Sequence, residues 1–272
     1  ANWSLLTSKL CRASLGDMSG TERVVILVKA APHPSRRYQE TVCCAGVTLR
    51  DDGKSPEWRR LYPVRFRHLS GDAKFSRWDI LEYKWHRPKD DPRRESHRVE
   101  EQSLTITGEL PRRSHAPFLD PLLRASYVDA AERGETLTLV RPKNLTFRWR
   151  RKSDAEIAGE KAAFAVASAQ GSLLDEPLKA FEPCPYHLRM GFEDGAGRHG
   201  MTCGDWETSA TFFKWRKSYG EADALARLKD IYEKSYAEKG VALAMGTVAK
   251  RPRQWLLLGI IRMDAAFQPR LL

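Results

Sequence analysis

Between residues 141 and 152 the chain carries six basic side chains (Arg141, Lys143, Arg148, Arg150, Arg151, Lys152) and no acid. Extended backbone points successive side chains to opposite faces. Leu145, Phe147 and Trp149 then share one face, and Arg148, Arg150 and Lys152 share the other. Such a ribbon buries its aromatics and lays a row of cations along a phosphate backbone. Arg59, Arg65 and Arg67 form a second row by the same alternation. A third cluster combines Lys214, Arg216 and Lys217 on a helix with Lys250, Arg251 and Arg253 at a hairpin tip. Each cluster alone reads as a solvated face, but together they exceed what solubility requires. The expectation is a protein that grips DNA or RNA, alone or as a subunit of a larger complex.

Three further constellations could do chemistry. Cys184 and His187, then His199 and Cys203, bracket a glycine turn and could hold zinc tetrahedrally, or could be small buried residues. Asp72 followed by Glu82-Tyr-Lys84 matches the order of acid and Glu-x-Lys in nucleases of the PD-(D/E)xK type. There carboxylates hold a magnesium-like ion and the lysine steadies developing charge; the ordinary reading is an exposed strand face. The loop Asp90, Asp91, Arg93, Arg94, Glu95, Ser96 is either a binding loop or a solvated set of ion pairs. His199 with Asp205-Trp-Glu207 could serve acid–base work, although Asp205 also suits a helix cap and Trp206 the core. Phosphate-loop, dinucleotide-fold, serine-hydrolase and zinc-deaminase motifs are missing from the sequence.

The elements that must position these residues follow from periodicity. Val24–Val28, 41–49, 58–68, 77–85, 103–107, 136–140 and 144–151 read as strands, and 121–133 as a short helix. In the third strand Trp58, Arg60, Tyr62, Val64, Phe66 and His68 should share an apolar face, and Arg59, Leu61, Pro63, Arg65 and Arg67 a basic one. Residues 87–96 hold too much proline and charge for a regular element. An alanine-rich helix follows over 153–170. Then come a strand at 185–192 with Tyr186, Leu188, Met190 and Phe192 on one face, a helix capped by Asp205 and ended by Gly220, a second helix over 221–238, and a hairpin of 241–247 with 255–261.

The fold class is therefore α+β: a β-rich, barrel-like or curved N-terminal sheet followed by a β-α-α-β-β part. The expected divisions are a 1–21 extension expected to lack order, a basic β-rich 22–152 domain, a 153–175 helical linker and an α+β 176–272 domain. Met18 reads as a natural start. Lysine and arginine number 46 against 35 acids, for a net charge of +11, which attracts polyanions at long range. Five irregularly spaced cysteines (Cys11, Cys43, Cys44, Cys184, Cys203) suit a reducing compartment, hence the cytoplasm. No apolar run is long enough for a membrane span. Two alternatives stay open: a metal-dependent nuclease, and a subunit whose arginines and aromatics meet a protein partner.

Overall fold

The computed structural model describes residues 18–31, 33–35, 39–49, 55–66, 69, 74–169 and 181–264. Residues 1–17, Cys11, Arg67, Asp72 and the boundary near residue 172 lie outside them. The strands in chain order are β1 (Ser19–Lys29), β2 (His33–Ser35), β3 (Gln39–Thr48), β4 (Trp58–Val64), β5 (Asp79–His86), β6 (Ser96–Val99), β7 (Thr105–Glu109), β8 (Leu123–Arg124), β9 (Leu137–Val140), β10 (Lys143–Arg151), β11 (Tyr186–Asp194), β12 (Gly197–Thr202), β13 (Val241–Val248) and β14 (Arg251–Arg262). The helices are α1 (His115–Leu119), α2 (Tyr127–Glu132), α3 (Asp154–Ala169), α4 (Trp206–Tyr219) and α5 (Glu221–Asp230); one π-helical turn, Ile231–Ser235, prolongs α5.

The N-terminal strands close into a five-stranded barrel in the order β1-β3-β4-β6-β5 and back to β1; only β4 and β6 run parallel. The β-branched run in β1 explains the closure. Val24 and Ile26 point into the barrel with Leu61, Val64, Phe75, Leu81 and Tyr83. Val25, Leu27 and Val28 point outward onto Leu137, Leu139, Ala242, Ala244 and Ile261. A strand buried on both faces has no polar positions to spare.

The outward residues meet a second sheet, ordered β14-β13-β9-β8. There β13 repeats the logic of β1. Ala242 and Ala244 face the barrel, whereas Val241, Leu243 and Met245 face a third core with Phe147, Leu188, Met190, Phe212, Leu225 and Leu228. The last sheet, β10-β11-β12, lays its apolar face on this core. The protein is thus α+β and rich in strand, with a closed barrel first and mixed helices and strands after it. Among the described residues no helix is long and apolar enough to cross a membrane.

Directed polar contacts lock the barrel to the rest. Arg77 donates to the Ile260 carbonyl at 2.6 Å and to Asp205 Oδ1 at 3.0 Å. Asp205, 1% exposed, accepts from the Thr208 hydroxyl, which meets Tyr232 at 2.6 Å. Burial pushes the Asp205 carboxyl above its ordinary range despite the pull of Arg77. Beside it, Ala31 N–H donates to the Gly204 carbonyl, and Gly204 N–H to that of Leu257. A Cβ on Gly204 would stand 2.8 Å from the Leu257 oxygen, so only glycine fits. The 90–96 loop is a second clamp. Asp91 is buried against Arg93 and Ser96, and Arg93 donates to the Thr247 carbonyl at 2.7 Å.

Several sequence expectations change. The 58–68 strand does not keep one apolar and one basic face, because a register shift between Val42 and Cys44 opposite β4 brings both Leu61 and Val64 inside. The 121–133 segment is a 3-10 turn, the short β8 and then α2, not one helix. Strands β2, β6 and β12 lie where no strand is expected; β2 and β6 are three and four residues long, and β12 carries glycines in place of apolar alternation.

Arg77→Met should lower unfolding free energy by about 3 kcal/mol in urea, because Asp205 is left buried and uncompensated. Adding Asp205→Asn should recover part of that loss, a coupling a double-mutant cycle reads directly.

Candidate nucleic-acid interface

Strand alternation sorts the basic ribbon as expected. Leu145 and Phe147 are buried, and Trp149, 38% exposed, leans on Phe147 at the sheet end. Arg148 and Arg150 face outward. Pairing with β11 adds what the linear chain conceals: Arg148 stands directly opposite Arg189, Arg150 opposite His187, and Thr146 opposite Gly191. One strand further, Arg189 pairs with Thr202 and Gly191 with Gly200. The outer face therefore reads Arg148, Arg189, Thr202 in one row and Thr146, Gly191, Gly200 in the next. Two guanidinium side chains rise beside a glycine floor.

Like charges directly opposite on one sheet face repel. Among the described residues Arg148 makes no ion pair within 4 Å. Glu233, the carboxylate whose field it feels, is already held by Lys229 and the Phe147 amide. Among the described residues the Arg189 side chain donates only to the Gly200 carbonyl, at 3.1 Å. At the neighbouring position Arg150 remains 66% exposed and reaches Glu156 at 3.5 Å, while His187 meets the same carboxylate at 2.9 Å. The Ser153 backbone amide, His187 and the Ser153 hydroxyl draw the Glu156 carboxyl down to about 2, so it stays ionised here.

The other basic residues do not join this face. Arg59 is bound to Glu22 and Glu57, and Arg65 to Glu101. Lys152, 10% exposed, is tied to Glu160 at 2.6 Å. Lys214 and Lys217 are exposed on α4, whose Phe212 packs on the apolar side of the sheet, so they sit on the helical side. Lys250, Arg251 and Arg253 are exposed at the β13–β14 tip, in a different sheet. Arg189 escaped the sequence reading. Its outward direction was legible from Tyr186, Leu188, Met190 and Phe192, but its neighbour was not.

The four suggested zinc ligands are not assembled. His199 pairs with Phe192 on the apolar face, whereas His187 is on the outer face. His199 instead binds Asp194 at 2.7 Å and meets the Tyr127 hydroxyl at 3.4 Å. Cys184, His187 and Cys203 line a cavity of about 310 Å³ beneath α3. Among the described residues no three His, Cys, Asp or Glu side chains converge as a metal site. Asp205 belongs to the buried Arg77 clamp, so it is not paired with His199. Glu82 and Lys84 do share an exposed face of β5; Asp72 lies outside the described residues.

The architecture defines a class: an α+β protein in which a closed barrel backs a mixed α/β half. The chain belongs to the family described as a domain of unknown function (DUF8757), which matches residues 123–271, more than half of its length. A second domain of unknown function (DUF8758) matches residues 20–120. The barrel strands and β7 lie within the second match, and β8 to β14 lie within the first. No curated protein matches the chain.

Arg148→Glu should leave thermal stability unchanged or raise it slightly, since it replaces a repelling cross-strand pair with an attractive one, by roughly 0.2–1 kcal/mol. Calorimetric melting of the variant checks this.

Proposed function

We propose that the protein binds the phosphate backbone of a nucleic acid on the outer face of its three-stranded sheet. The observation that carries the reading is the Arg148–Arg189 pair, set side by side on an open face with no carboxylate between them. An anion between two such guanidiniums relieves their repulsion and accepts charge-assisted hydrogen bonds from both. Arg150 extends the row along β10, in the direction a backbone would follow. The aromatics of these strands point inward, so the face offers phosphate contacts rather than a stacking platform for bases, which favours binding independent of sequence. The net charge of +11 would add long-range attraction. Among the described residues Cys43, Cys184 and Cys203 are free thiols, which suits a reducing compartment such as the cytoplasm. The role is binding, within a larger nucleic-acid-processing complex or alone.

Filter binding of a single-stranded and a duplex oligonucleotide over a salt series tests it. Three phosphate contacts from Arg148, Arg150 and Arg189 give an expected log–log salt slope of about −2 to −3. Arg148→Glu with Arg189→Glu should flatten that slope by about 2 units and weaken binding to every sequence alike. Absence of binding at low salt, or an unchanged slope in the double variant, would sink the reading.

A further inference from the structure

A second feature is a cleft none of whose lining residues belongs to the three-stranded sheet. This cleft of about 920 Å³ separates the barrel wall from the segment that opens the DUF8757 match. Trp58, Arg59, Trp85 and His97 line it from the barrel, and Leu122, Arg124 and Thr136 from the opposite bank. Clefts between two folded units, of several hundred Å³, are the usual place for small-molecule sites.

Its floor is rigid. His97 lies flat on Trp85, with ring centres 3.6 Å apart and planes within 6°. His97 Nδ1 is 3.0 Å from the Tyr83 hydroxyl inside the barrel and 3.5 Å from Glu22. Arg59 grips Glu22 with bonds of 2.7 and 3.0 Å. Burial, with the nearby Arg59 and Arg87 guanidiniums, pushes His97 down to about 3, so the floor imidazole is neutral. An uncharged histidine stacked on an indole makes a flat apolar surface with its ring locked in place.

The rim carries the opposite character. Every carboxylate lining the cleft is answered by a cation or a hydroxyl: Glu57 by Arg59, Glu95 by Arg60 and Thr136, and Glu135 by Arg124. Two arginines on the same rim are not answered. Arg94 is exposed and makes no hydrogen bond or ion pair among the described residues. Among the described residues the Arg87 side chain makes one hydrogen bond, a long one of 3.4 Å to the Pro92 carbonyl. Arg93 and Glu95, on either side of Arg94, are both engaged in the clamps that join the two halves, so Arg94 projects from a fixed loop.

We propose that this cleft binds a nucleotide, its base against the Trp58 and Trp85 walls and its phosphate on Arg87 and Arg94. An aromatic wall beside unpaired guanidiniums matches a ligand that is flat at one end and anionic at the other. Free nucleoside monophosphates and a nucleotide at the end of a strand share this chemistry. The site stands apart from the sheet face and does not depend on it.

Isothermal titration of the full chain with AMP, UMP, adenosine, ribose 5-phosphate and a short phosphorylated oligonucleotide tests it. AMP or UMP should bind, with adenosine and ribose 5-phosphate each weaker by about tenfold or more, because each lacks one of the two recognised ends. Heat from the oligonucleotide alone that persists in Arg148→Glu with Arg189→Glu and is lost in Arg94→Glu would assign the strand end as the source, and heat from the monophosphates would assign the free nucleotide. Arg94→Glu, an exposed change that leaves the fold intact, should weaken binding by about tenfold or more. Arg148→Glu should leave AMP and UMP binding unchanged, which separates this site from the sheet face. No heat from any phosphorylated ligand, or equal binding to the wild type and Arg94→Glu, overturns the proposal.

Discussion

The inner stretches of β1 and β13 have no solvent face, and the arrangement of everything else follows from that. Residues 24–28 of β1 are buried inside the barrel on one side and against the second sheet on the other. The same holds for β13, between the second sheet's barrel side and the helical core. Apolar area removed from water on both faces contributes about 25 cal/mol per Å², so separating the halves would expose a continuous core. Gly259 lets β14 come close to β1, since a Cβ there would stand 3.2 Å from the Val28 side chain. The polar contacts at that seam act as registration. Arg77 reads a single carbonyl and a single carboxylate and tolerates no slippage.

The excess of cations divides into two populations. Arg59, Arg60, Arg77 and Arg93 are half-buried or deeper and serve as internal struts, each with a carboxylate. A guanidinium suits this because its planar fork meets carboxylates and carbonyls at fixed angles. Arg94, Arg148 and Arg189 have exposed side chains and no carboxylate within ion-pair distance among the described residues. Their freedom is informative because so many of their neighbours are satisfied. The same loop holds Arg93 as a strut and Arg94 as a free charge, one residue apart.

How much of this was legible in the chain depends on whether the signal was local. Alternation in residues 145–151 and 186–192 sorted inward from outward side chains correctly, since period two is a property of the backbone itself. Gly220 ending α4 and the β13–β14 hairpin were equally local. The face of β4 was not, because a register shift in its partner moved Val64 inside. Nor was the separation of His187 from His199, which depends on Phe192 being the residue opposite His199.

The sequence by itself determined the class of fold, the alternation in β10 and β11, and the outward direction of Arg148, Arg150 and Arg189. Those properties are written in the steric alternation of neighbouring residues and in where apolar runs begin and stop. Only the tertiary structure decided which charges cancel. Arg59 meets Glu22 across 37 positions, Arg77 meets Asp205 across 128, and Arg148 meets Arg189 across a strand pair. Coulombic partnership falls off with distance in space, and distance along a chain carries no record of it.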